Sequence, residues 1–211
     1  MLLSACDRAA SVQWAKSIPA DTSRAFKPDK ILVVPKKSFE FNSLRNSTDD
    51  ALYLVTCCEY AYFPFGKQTD KASLRNSLLK NFTITKSKLD TFTNEMSLSN
   101  PSDDFKQWSD SLELELGTNN KLCLYLDNDP EATTHGYISF GQITTNKVSF
   151  SDSIIIGMKT QDFFKKFFDY FPTDLCKKYK VVKFESCIFD VTHFYSFDKG
   201  HLRSVLFIST K

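Results

Sequence analysis

Glycine is scarce in this chain: six in 211 residues. That excludes Gly-rich linkers and repeat fibres, and it suits a packed domain. Charge of either sign is not in excess, with 27 Lys+Arg against 25 Asp+Glu. A nucleic-acid binder carries a basic stripe, so no nucleic-acid partner is expected. No run of about 18 apolar residues occurs, so no transmembrane helix is expected. Histidine is limited to His135, His193 and His201, without the i, i+4 spacing that puts two imidazoles on one helix face, and no metal site is expected. No C-x-x-C, G-x-S-x-G, P-loop or dinucleotide fingerprint is present, and no cofactor is expected. What is abundant is phenylalanine, at 20 residues, enough for one sizeable core or two small ones.

Leu3-Ser4-Ala5-Cys6 resembles a bacterial lipoprotein processing site, in which small residues precede a cysteine that becomes the acylated first residue. Only Met1 and Leu2 stand before it, so the charged and apolar parts of a signal peptide are not in the sequence. The resemblance implies lipidation at Cys6 and an address in the bacterial cell envelope, with the membrane reached through the anchor alone. Residues 7–30 mix Ala, Ser, Asp, Lys and Pro without a period and read as a tether. Besides Cys6 the chain has Cys57, Cys58, Cys123, Cys176 and Cys187. The number is odd, so not all can pair within the chain. Cys176 and Cys187 are spaced either for a bridge or as small buried hydrophobes.

An internal repeat organises the remainder. Phe65-Gly66-Lys67-Gln68-Thr69-Asp70 matches Ile156-Gly157-Met158-Lys159-Thr160-Gln161. A helical pattern follows each, with Leu74, Leu78, Leu79 and Phe82 on one face in the first copy and Phe163, Phe164, Phe167, Phe168 and Phe171 in the second. Thr69 and Thr160 are predicted N-caps. A second helix is predicted from Leu89, Phe92 and Met96 in copy one and over 173–179 in copy two. Strands are predicted over 112–116, 121–126 and 136–143, then over 181–185, 191–197 and 202–209, with turns at 117–120 and 198–200. The period is about 90 residues, too long for a solenoid unit. The expected fold is therefore α+β: two tandem helix-helix-strand-strand-strand halves, 31–143 and 144–211, forming an antiparallel sheet with helices on one face.

Gly157-Met158-Lys159-Thr160 at a helix start, followed by Tyr195-Ser196-Phe197-Asp198-Lys199-Gly200-His201-Leu202, resembles the small envelope lipoproteins of the BamE type. It is also similar to the tandem-repeat fold of the β-lactamase-inhibitor proteins. The resemblance spans 145–208 well and 64–143 poorly. It implies a non-enzymatic partner of another protein: an inhibitor or immunity protein that occludes a hydrolase or toxin. The alternatives are a structural accessory lipoprotein of outer-membrane assembly, and an envelope enzyme using His193 and a nearby carboxylate.

Two surfaces are candidates for such binding. Asp127-Asn128-Asp129-Pro130-Glu131 lacks the Gly and terminal Glu of a calcium loop. It reads either as a turn-rich connection or as an acidic probe, in which Asp127, Asp129 and Glu131 steer an encounter. The second surface is the sheet face left open by the helices. Strict alternation puts the leucines of 112–126 inward, and Glu113, Glu115, Lys121 and Tyr125 outward. Lys183 and Arg203 alternate in the same way in the second copy, and Tyr137, His193 and Tyr195 are expected to join that open face. Tyr and Arg are the residues that dominate binding hot spots.

Overall fold

A computed structural model describes residues 33–37, 39, 41–48, 50–56, 60, 63–66, 74, 78–94, 105–128, 134–186 and 191–209. Eleven strands run in chain order among them: β1 (Val34–Pro35), β2 (Phe41–Thr48), β3 (Ala51–Thr56), β4 (Thr83–Asn94), β5 (Phe105–Glu115), β6 (Lys121–Asn128), β7 (Thr134–Ile143), β8 (Phe168–Tyr170), β9 (Val181–Ser186), β10 (Val191–Asp198) and β11 (His201–Ser209). Two short helices, α1 (Thr160–Phe167) and α2 (Thr173–Lys178), precede and follow β8.

Nine strands form one sheet in the order β2-β3-β9-β10-β11-β7-β6-β5-β4, while β1 and β8 make a separate two-stranded ribbon. The expected helix-rich α+β fold is overturned, because the described residues are mostly strand. The clearest correction is β4. Leu89 and Phe92 have helical spacing, but Thr83, Thr85, Thr91 and Thr93 alternate through the same stretch. β-branched residues lose rotamer freedom in a helix and fit a pleated surface. Pairing along all of β5, from Thr83 opposite Glu115 to Asn94 opposite Phe105, fixes the outcome. The sheet is also not purely antiparallel: β3 lies parallel to β9, with Ala51 opposite Val181 and Thr56 opposite Ser186. Residues from 31–143 thus flank those from 144–211 on both sides within one continuous sheet.

One face of the sheet is covered. Leu112, Leu114, Leu122, Leu124 and Leu126 point into the core, as the alternation predicts. α1 supplies the lid over β9 and β10. Phe163, Phe164 and Phe167 are fully buried, and the Phe163 ring lies 4.9 Å from Tyr195, 5.0 Å from Phe197 and 5.2 Å from Phe167. The pairs with Phe197 and Phe167 are edge-on, a geometry that adds to plain burial. After Phe167 the chain leaves the helix as β8 and keeps Phe168 buried.

The start of α1 differs from the sequence reading by one residue. Lys159 is the N-cap, in extended conformation, and no side chain caps the helix. Thr160 is the first helical residue, and its amide donates to the Gly200 carbonyl at 2.9 Å. Thr69 lies outside the described residues. The second turn is as expected: Lys199 and Gly200 both have positive φ between Asp198 and His201, the two-residue hairpin geometry that favours glycine. Gly141 is required for another reason. A Cβ there would stand 2.4 Å from Leu122 Cδ2 and 2.8 Å from the Lys121 carbonyl oxygen.

Candidate functional site

The opposite face of the sheet is left open by the described residues, and the register places its residues in rows. Val55, Glu185, Thr192, Ile208, Phe140, Cys123, Glu113 and Lys86 stand side by side across eight strands. The adjacent row carries Tyr53, Lys183, Phe194, Leu206, Gln142, Lys121 and Glu115. Their middle is apolar: Phe140 is 46% exposed and its cross-strand neighbour Ile208 36%, beside half-buried Phe194 and Leu206.

Charges flank this middle, and they are paired among themselves. On the β6 side, Lys121 Nζ donates to Glu113 Oε2 at 2.6 Å and Lys86 Nζ donates to Glu113 Oε1 at 3.1 Å. Glu115 stands 3.9 Å from Lys121. The hydrogen bonds from Lys121 and Lys86 hold the Glu113 carboxyl below the usual carboxylate value, and Glu113 in turn raises Lys121. On the β9 side, Lys183 pairs with Glu185 at 2.8 Å and lies 4.9 Å from the Tyr53 ring centre. Desolvation raises the Cys123 thiol, and burial pushes Cys176 up to about 11. Both are free thiols and neither is poised as a nucleophile.

The site residues expected from sequence divide into three groups. Glu113, Glu115 and Tyr125 do sit on the open face, where Tyr125 is 37% exposed and lies opposite Tyr137 in the β6–β7 register. Glu113 and Glu115 are engaged with lysines of their own chain, however, which leaves them less free to steer a partner. His193 and Tyr195 are corrected: both are fully buried on the covered face. There they join a buried polar chain, in which Tyr60 Oη and Tyr195 Oη share a hydrogen bond of 2.5 Å and His193 Nδ1 lies 3.2 Å from Tyr195 Oη. The parity of β10 is the reverse of the one expected, with Phe194 and not His193 facing out. Polar groups tolerate that burial because they bond to one another.

The third group is defined by position more than by contacts. Arg203 is exposed, 3.5 Å from Asp198, at a bulge in β11 where the residue opposite β10 steps from Ser204 to Leu202. Asp127 belongs to β6, its backbone opposite Ser109 and His135. Asp129, Glu131 and Cys6 lie outside the described residues. The apolar middle formed by Phe140, Ile208, Phe194 and Leu206 was missed by sequence reasoning. Its signal was present, because β7, β10 and β11 carry apolar residues on both parities. Among the described residues no cluster of three or more His, Cys, Asp or Glu side chains is placed to share a metal ion.

No protein-family model, no curated protein and no solved structure matches this chain.

Proposed function

We propose that this chain is a binding protein of the bacterial envelope, anchored through Cys6, that docks another protein against the open face of its sheet and carries out no chemistry of its own. The observation that carries this reading is the pairing of exposed Phe140 with exposed Ile208 in the middle of that face, between two ion-paired flanks. A solvated antiparallel face is ordinarily polar. An apolar centre with a polar rim is the anatomy of a protein interface. A toxin or hydrolase that the chain inhibits is the partner class the motif resemblance supports, and Leu3-Ser4-Ala5-Cys6 supports the address.

Photo-crosslinkers at Phe140 and, as a control on the helix-covered side, at Lys165 test the docking face. Crosslinks to one stoichiometric protein from position 140 and not from 165, abolished by Ile208→Asp, are expected. Equal capture from both positions defeats the reading. Phe140→Ser is expected to change stability by no more than about 0.5 kcal/mol, as an exposed substitution does, while weakening partner binding. Metabolic labelling with a fatty acid analogue, lost in Cys6→Ser, tests the anchor separately.

A further inference from the structure

On the helix-covered side, the start of α1, the end of α2 and the β10–β11 turn enclose a cleft of about 390 Å³. Four lysines line it: Lys159 at the helix N-cap, Lys177 in the last turn of α2, Lys180 just beyond, and Lys199 in the hairpin turn. All four are exposed, and among the described residues none has a carboxylate within 4.0 Å. Asp198 also lines the cleft, but Arg203 Nη2 donates to its Oδ2 at 3.5 Å. Lysines usually pair with acidic neighbours when a surface is mixed; here four line one cleft, and its single carboxylate, that of Asp198, is engaged by Arg203.

The buried end of the cleft adds two independent features. α1 begins there with no capping side chain. The Thr160 amide is used by Gly200, so the helix start offers the following amide, that of Gln161, together with the positive end of the helix dipole. Thr160 itself lines the cleft, is only 4% exposed, and has a hydroxyl without a hydrogen-bond partner among the described residues. Buried hydroxyls are normally bonded, and this one sits beside the donors that anions use at helix starts.

We propose that this cleft binds a phosphate-bearing anion, with the Gln161 amide and the Thr160 hydroxyl donating to its oxygens and Lys159, Lys177, Lys180 and Lys199 neutralising its charge. The ligand is either a soluble phosphate compound or a phospholipid headgroup; the recognising chemistry is the same. The cleft is separate from the open face and does not depend on it.

Amide NMR of the full chain titrated with inorganic pyrophosphate, against chloride at matched ionic strength, tests the site. Saturable shifts centred on Thr160, Gln161 and Gly200 are expected. Lys180→Gln combined with Lys199→Gln is expected to weaken binding by about tenfold, as loss of charge-assisted bonds does. Thr160→Val removes the hydroxyl but keeps the shape; it is expected to weaken pyrophosphate binding severalfold with the circular dichroism spectrum unchanged. Co-sedimentation with phosphatidylglycerol vesicles, against phosphatidylcholine, separates the sources: binding to both probes assigns a headgroup, and binding to pyrophosphate alone assigns a soluble ligand. No localised shift with pyrophosphate, vesicle binding without such a shift, or wild-type affinity in both variants overturns the proposal.

Discussion

On the covered face, β5 and β6 present Leu112, Leu114, Leu122, Leu124 and Leu126, whereas β9, β10 and β11 present Phe184, His193, Tyr195, Phe197 and Phe207. One sheet is therefore packed by two chemistries. Leucines interdigitate without directional demands, and their strict alternation with Glu113, Cys123 and Tyr125 admits only one parity. Aromatic packing is directional, and it accommodates a tyrosine or histidine wherever its polar atoms find a partner. That is why the leucine strands were legible in sequence while the aromatic ones reversed His193 and Tyr195.

The sharpest way to break the comparison is to remove one anchor from each part. Phe163, fully buried and in contact with five aromatic rings, is expected to cost about 3–5 kcal/mol when changed to Ala. Leu124→Ala is expected toward the lower end of about 2–5 kcal/mol, because small aliphatic neighbours relax more readily around a gap. Urea denaturation of both variants measures the difference, and a larger loss for Leu124→Ala reverses the proposed contrast. Gly141→Ala comes next. The added methyl meets Leu122 and a backbone carbonyl, so a loss of about 1–3 kcal/mol is expected. Leu122→Ala should relieve only part of that strain, since the Lys121 carbonyl stays in place.

Tyr195→Phe sharpens the aromatic side. It deletes the hydroxyl that joins Tyr60 to His193, and leaving buried polar atoms unpaired costs about 1–3 kcal/mol. A neutral result by thermal unfolding shows that the polar chain is dispensable. The smallest effect belongs to the open face. Glu113 is held below its ordinary value of 4.5 by Lys121 and Lys86. The stability it contributes is therefore present above that value and is lost as pH falls through the lower folded-state one. Carboxyl NMR titration of Lys121→Met is expected to move Glu113 back up toward 4.5; no movement assigns the shift to Lys86 alone.

Hairpin turns, strand positions from β5 to β7 and β9 to β11, and burial of the Phe163, Phe164, Phe167 and Phe168 face were all written in local patterns. The rest was not local. β4 carried two overlapping periods, and only its pairing with β5 selected between them. Nothing within 51–56 or 181–186 announces that these strands lie parallel to each other. The helix start at Thr160 was misplaced by one residue because its amide is satisfied from the β10–β11 turn, a contact no local motif encodes. Of the candidate site, the ion-paired residues Glu113, Glu115 and Lys121 were legible. Its apolar centre was not, because Phe140 and Ile208 look like core residues until the sheet order shows that nothing among the described residues covers them.

The parallel pairing of β3 with β9 also sets a timetable. Ala51 waits for Val181, about 130 residues later, and a ribosome adding roughly 5–20 residues per second takes on the order of ten seconds to supply it. Until then β2 and β3 are a lone hairpin, and two strands by themselves are marginally stable in water. The first strands of the main sheet to be made are thus among the last to be secured. During that interval Leu52 and Leu54, buried in the finished protein, are apolar surface that a chaperone can hold.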